Sequence, residues 1–242
     1  MSGSVPVTHR LLCLDMARTI ALCAMVVFHA VRDLEFFGVI SAGTALTGGW
    51  AIFARGIATS FLFLAGVSLV LAHARGFRAQ AWARRVAMIA GAACLVSLAT
   101  YFAFPSHYIF FGILHAIAVA SLLGVPFIRA PAWFPLIGAA LVLVVNEFFS
   151  RSVFTAPAMA WTGLGTEVRA SLDFIPVVPW LAPFLLGIAF AKMVRLQEFE
   201  PRWPQWLPSR ALAWPGQHSL AVYLLHQPVL IALIWMATRM TS

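Results

Sequence analysis

Seven predominantly apolar segments run through this chain, all but the first with at most one charged residue and the sixth short for a bilayer crossing: Leu11 to Leu34, Trp50 to Ala72, Val86 to Phe104, Ile109 to Ile128, Trp133 to Phe149, Trp180 to Val194 and His218 to Ala237. Hydrocarbon offers no partner to a backbone N–H or C=O, so such a segment has to close its own hydrogen bonds, as only helices and closed barrels do. Continuous apolar runs, rather than strict alternation, select helices. The sequence therefore predicts an all-α polytopic membrane bundle with about seven transmembrane helices, formed by residues 1–242 as a single domain. Composition agrees: 62% of the 242 residues are hydrophobic and 10% are charged, against about 25% charged in a soluble domain. No internal repeat or low-complexity tract interrupts the pattern.

The formal charge of +8 does not call for a nucleic acid partner, because basic residues gather in the cytoplasmic loops of membrane chains. Arg10, Arg75, Arg78, Arg84, Arg85, Arg129, Lys192, Arg195, Arg202 and Arg210 fall on one side of the expected bundle, and Arg32, Arg55, Arg151, Arg169 and Arg239 on the other. The bias places the N-terminus in the cytoplasm and the C-terminus outside. The first apolar segment is long enough to span and is expected to remain as an uncleaved anchor. Lys192 is the only lysine beside many arginines and alanines, a composition that suggests a bacterial gene and hence a bacterial inner membrane. The cluster from His73 to Arg85 reads first as a topology signal touching anionic lipid, and second as a contact for the phosphates of a nucleotide-like cofactor. Cys13, Cys23 and Cys94 lie in apolar runs without metal or redox spacing and read as small buried hydrophobes. The long outer connection, Ser150 to Pro179, reads equally as a binding loop or a surface linker.

Ionisable groups inside the apolar segments are where chemistry is expected, since each must face protein, water or a partner rather than lipid. The first segment carries Asp15, Arg18, His29, Arg32 and Asp33. Arg18 and His29 lie roughly 20° apart around a helix axis and about 16 Å apart along it, with Leu22 and Met25 between them as a stripe suited to lining a path. Asp33, one turn from His29, is placed to orient its imidazole and raise its basicity, as a general base requires. His115 and His226 are further intramembrane histidines, each readable also as helix-bridging glue. In the last segment Ser219, Tyr223 and His226 share a face, and Pro228 removes an amide beside His226 and Gln227. Gly66 and Ser68 read as close-packing positions between helices.

Several of these stretches, in this order, resemble the membrane acyltransferase family of heparan-alpha-glucosaminide N-acetyltransferase and its bacterial DUF1624 relatives. They are Leu14-Asp-Met-Ala-Arg18 with Ile20, Met25 and His29; Phe61-Leu-Phe-Leu-Ala-Gly-Val-Ser68; Phe111-Gly-Ile-Leu-His115; Asp173 to Trp180; and Ser219 to Pro228. The resemblance implies transfer of an acetyl group from cytoplasmic acetyl-CoA to a glycan or glycolipid amine or hydroxyl on the far side of the bilayer. The resemblance carries catalysis onto His29, and together with the residue chemistry above the enzyme reading gives catalytic roles to His29, Asp33, His115 and His226, acetyl-CoA contacts to Asp15, Arg18 and Gln227, and acceptor contacts to Asp173 and Trp180, with no metal. This chain departs from the family in having Thr19 after Arg18, where the motif has glycine. Residues 35–55 contain no histidine, although eukaryotic members carry their catalytic one in that loop.

The competing reading is a membrane binder or carrier without covalent chemistry. A b-type haem protein would need two facing axial histidines, for which His29 and His115 are the candidates, and a small-molecule transporter would commonly show related halves, which this sequence lacks. The orientation is checked by cysteine accessibility. Cysteines placed at Arg78 and Gln205 should label only after the membrane is breached, and one at Thr162 should label in intact cells; the opposite pattern would reverse the topology.

Overall fold

The computed structural model describes residues 12–167, 170–196 and 207–241. Leu11, Arg10, Arg169, Arg202 and Gln205, used above, lie outside the described residues, as does the side chain of Arg210. Among the described residues the elements are helical: α1 (Leu12–Phe36), α2 (Gly48–Ala72), α3 (Ala79–Ala103), α4 (Ile113–Leu123), α5 (Val125–Arg129), α6 (Trp133–Phe148), α7 (Val177–Met193), α8 (Leu207–Gln217) and α9 (Ser219–Thr241), with short 3-10 turns between. Four helices are long and apolar enough to cross a membrane, namely Leu12–Phe36, Gly48–Ala72, Ala79–Ala103 and Ser219–Met240. Ile113–Leu123, Trp133–Phe148 and Val177–Met193 are apolar but shorter. Large apolar side chains such as Ile20, Leu95, Leu98, Phe102 and Leu141 stand exposed, the surface expected of an integral membrane protein whose solvent is lipid. Cys23 and Cys94 are on such exposed faces, not buried among side chains as their apolar surroundings suggested, and Cys13 is half-buried.

Contacts divide the chain into two compact units, residues 1–45 with 200–242, and residues 46–199. In the first unit α1 packs on α8 and α9. A Cβ at Gly216 would run into the carbonyl oxygen of Asp15, so the two backbones meet only because position 216 is glycine. The Thr19 hydroxyl ties the same point, donating to the Asp15 carbonyl at 3.1 Å and accepting the Gly216 N–H at 3.0 Å. Further along, His226 lies against His29 and Gln227 reaches Asp33. The pairing order 19 to 216, 29 to 226, 33 to 227 ascends on both sides, so α1 and α9 run in the same direction. After α1 the chain is tied back by Glu35, whose carboxylate accepts the N–H groups of Gly43 (2.7 Å) and Ala45 (3.0 Å). α8 falls in a stretch where no apolar segment was expected.

In the second unit α2 and α7 form the central pair, with α6 on α7 and α4 on α2, α3 and α7. Two glycines set its closeness reciprocally: a Cβ at Gly66 would strike the Phe184 carbonyl, and one at Gly187 the Phe63 carbonyl. Around them Leu62, Val67, Phe184, Leu185 and Ile188 are fully buried. The fourth apolar segment starts later than expected. Residues 104–112 run as turns and extended chain, helix begins at Ile113, and it breaks at Gly124 before α5. Lys192 at the end of α7 donates to the carbonyls of Ile128 (2.8 Å) and Ala130, covering the last turn of α5. The long connection between α6 and α7 contains 3-10 turns at Ser152–Thr155 and Ala160–Thr162, and its Leu172 and Ile175 N–H groups donate to the carbonyls of His107 and Phe111.

Replacing Gly187 by Ala should push α2 and α7 apart and lower the stability of the detergent-solubilised protein by about 1–3 kcal/mol, as overpacking does. Gly56, whose Cβ position is open, is the control, and its Ala variant should melt no lower than the parent. Thermal unfolding of both variants checks the pair.

Candidate active site

The first unit brings His29, Asp33, His226 and Gln227 together. α1 contributes His29 and Asp33 from one face, four residues apart, and α9 contributes His226 and Gln227 beside Pro228. The imidazoles of His29 and His226 meet edge to face with centroids 4.8 Å apart. Nδ1 of His226 lies 2.5 Å from the carbonyl oxygen of Tyr223. A carbonyl only accepts, so Nδ1 carries the proton and, in the neutral ring, Nε2 holds a free lone pair. That Nε2 is buried with no partner among the described residues. Neither nitrogen of His29 bonds to a described residue.

Asp33 does not serve His29 as its orienting carboxylate. Its Oδ1 accepts the Gln227 side-chain N–H at 2.7 Å, and because a carboxylate only accepts, the amide nitrogen must face it and Oε1 must point away. Asp33 Oδ2 and Gln227 Oε1 are both buried without a partner. At the other end of α1, Arg18 pairs with Asp15 at 2.8 Å, and Asp15 Oδ2 is likewise buried and unpartnered. Leu22 and Met25 are 1% and 3% exposed. The stripe between the two ends is thus packed, where the sequence suggested a lined path.

His115, Asp173 and Trp180 belong to the second unit. His115 has both ring nitrogens engaged: Nδ1 accepts the Gly112 N–H at 3.2 Å, so Nε2 carries the proton and donates to Ser97 Oγ at 3.2 Å, and Ser97 in turn donates to the Ile109 carbonyl. It caps the start of α4 and has no lone pair left for a proton or a metal. Asp173 caps the same helix end through Oδ2, which accepts the Ile113 N–H at 2.8 Å. Gly112 leaves room for that carboxylate, since its Cβ would collide with Asp173 Oδ2. Trp180 is half-buried near the start of α7. Thr19, the Tyr223 carbonyl and Ser97 were not singled out from the sequence. For Thr19 the signal was present as the departure from glycine after Arg18; for a backbone carbonyl and a lone serine there was none.

Enclosure of the Asp173 carboxyl by protein raises its pKa from 3.8 to about 6, with the Ile113 N–H pulling the other way. The folded chain therefore holds a proton that the unfolded chain has released, and stability falls as pH rises through that window and levels off above it. Asp173→Asn keeps an acceptor for Ile113 and removes the titration. Its melting temperature relative to the parent should rise between pH 4 and pH 6; a gap that stays constant with pH would contradict the assignment.

Comparisons with curated proteins and with solved structures give no match. A scan against family models matches residues 10–228 to the model described as heparan-alpha-glucosaminide N-acetyltransferase, catalytic. The match covers α1 and the polar part of α9 through Pro228, so the imidazole pair and the Asp33–Gln227 couple lie inside it. The chain belongs to this family of membrane acetyltransferases.

Proposed function

We propose that this chain moves an acetyl group from acetyl-CoA on the cytoplasmic side to an amine of a glycan or glycolipid outside the bacterial inner membrane, with the imidazole pair of His29 and His226 as its base. The observation that carries the proposal is the lone pair of His226 Nε2, buried, unpartnered and next to a second imidazole with no hydrogen bond to the described residues. Acetylation of an amine that arrives protonated removes two protons from nitrogen, one leaving to solvent and one going to the departing thiolate, so two adjacent bases fit the task. His226 takes the first proton, and His29 relays the second from the nitrogen to sulfur as the C–N bond forms and the C–S bond breaks. Arg18 and Asp15 then lie at the cytoplasmic end of α1, where acetyl-CoA enters. Leu22 and Met25 have to part for the thioester to reach the histidines.

The parallel course of α1 and α9 supports the seven-span reading. Two crossings in the same direction are separated by an odd number of others, so if both helices span, the total is odd and four is excluded. Seven follows when the three shorter apolar helices also cross, with the N-terminus inside and the C-terminus outside. The haem reading fits less well. Two imidazoles in edge contact at 4.8 Å leave no room for a porphyrin between them, and His115 has no free nitrogen.

Loss of a general base costs roughly 10²- to 10⁴-fold in rate. His226→Ala and His29→Ala should each reduce transfer of labelled acetyl from acetyl-CoA to membrane glycan by that order, while the purified variants still bind coenzyme A. Transfer by either variant at close to the parent rate would remove that histidine from the mechanism.

A further inference from the structure

Several cations set in apolar helices have partners. Arg18 pairs with Asp15 at 2.8 Å, Lys192 donates to the carbonyls of Ile128 and Ala130, Arg239 lies over the Trp235 ring at 5.5 Å, and Arg32 has the carboxylates of Asp33 and Glu35 close by. Arg55 has none of these. It makes no hydrogen bond, ion pair or ring contact with a described residue, its own helix carries no acidic residue, and it is exposed. A permanent cation exposed on a helix apolar enough to cross a membrane calls for an anion from outside the protein.

The depth of Arg55 says which anion. α2 has 25 residues and is about 37 Å long, so a hydrocarbon core of about 30 Å centred on it reaches from about residue 50 to about residue 70. Trp50, edge to face with Phe53 at 5.8 Å, stands at that boundary, where aromatic rings gather. Arg55 starts about 7 Å below it. Side chains on a helix lean toward its N-terminus, which for α2 is the nearer boundary, so the arginine stem runs up toward the lipid headgroups. On the same face, one and two turns nearer the boundary, are Ala51 and Gly48, and a Cβ at Gly48 would meet nothing within 4 Å. No bulky side chain closes that approach.

We propose that Arg55 is the phosphate-binding group of a lipid site on the first half of α2, filled by a phospholipid of the leaflet at that end of the helix. A guanidinium presents two N–H groups in one plane to two oxygens, and a phosphodiester supplies both oxygens with the single negative charge that Arg55 lacks. Ile52 and Phe53, both exposed, give the acyl chains apolar surface beside it. The site belongs to the second unit and does not rest on the transfer reading.

The site is tested by native mass spectrometry of the full-length purified protein in an uncharged detergent, with dioctanoyl phosphatidylglycerol, dioctanoylglycerol and inorganic phosphate as probes. The parent should bind the phosphatidylglycerol about fivefold more tightly than the diacylglycerol, which has the same chains and no phosphate. Arg55→Gln should abolish that preference, and Arg55→Lys, which keeps the charge without the planar fork, should restore only part of it. Arg151→Gln removes the same charge from a residue already engaged by Phe149 and Ser150, and should leave the preference unchanged. Equal binding of the two lipids to the parent overturns the site, as does a preference as large as the parent's in Arg55→Gln or Arg55→Lys. Displacement of the lipid by inorganic phosphate at equal concentration overturns the lipid as its occupant. If Arg55→Gln does not fold, the parent and Arg55→Lys still decide.

Discussion

Within a bilayer no water completes a hydrogen bond, and most of the polar geometry here answers to that shortage. Around the start of α4, His115, Ser97, Asp173 and the backbone of Ile109 to Ile113 form a closed set in which donors and acceptors meet. Lys192 treats the carbonyls after α5 in the same way. Against that background of satisfied groups, the unpartnered acceptors at Asp33, His226 and Gln227 stand out as an incomplete set. In a medium where unpaired polar atoms are strongly disfavoured, three of them on Asp33, His226 and Gln227, with Asp15 Oδ2 a fourth at the far end of α1, mark where the helices leave acceptors open.

The frame around these polar groups is held by proximity. Lipid tails are as apolar as leucine, so helices in a membrane associate through close packing and not through escape from water. Gly66 and Gly187 let α2 and α7 touch backbone to backbone, and Gly216 does the same for α8 on α1. In the latter pair Thr19 adds a hydrogen bond at the contact, and this fixes the axial register from which His226 and Gln227 reach His29 and Asp33. A residue that departs from the family motif therefore has a definite place in aligning the site.

Helical class and the approximate limits of the apolar segments were legible because the bilayer leaves a long apolar run few alternatives. The ends were less so: Gly112 and the distant Asp173 set the start of α4, and a cap donated from sixty residues away has no local signature. α8 went unseen because it carries Pro208, Pro215 and mixed polarity rather than a continuous apolar run. Within the site, helical spacing placed His29 and Asp33 on one face of α1, and the Pro228 motif singled out His226 and Gln227. Spacing along one helix could not tell which side chain on another helix would claim a given atom. Asp33 was therefore assigned to His29 by proximity in sequence, while in space it is held by Gln227. His115, equal to the other histidines as a letter in an apolar run, is distinguished from them only by the two hydrogen bonds that occupy its ring.

The division of labour between His226 and Asp33 follows from a backbone atom. In a serine protease triad a buried carboxylate sets the histidine tautomer and steadies the imidazolium. Here the Tyr223 carbonyl, one turn back on the same helix, already sets the tautomer of His226, so no carboxylate is needed for that purpose. α9 continues through Pro228, which has no N–H to offer the carbonyl of Leu224, and the helix next to His226 therefore holds more acceptors than its own amides satisfy. The imidazole N–H of His226 goes to the Tyr223 carbonyl and not to that of Leu224, and Nε2 is left buried without a partner among the described residues. Asp33 is held instead by Gln227, whose side-chain N–H fixes the orientation of its carboxylate.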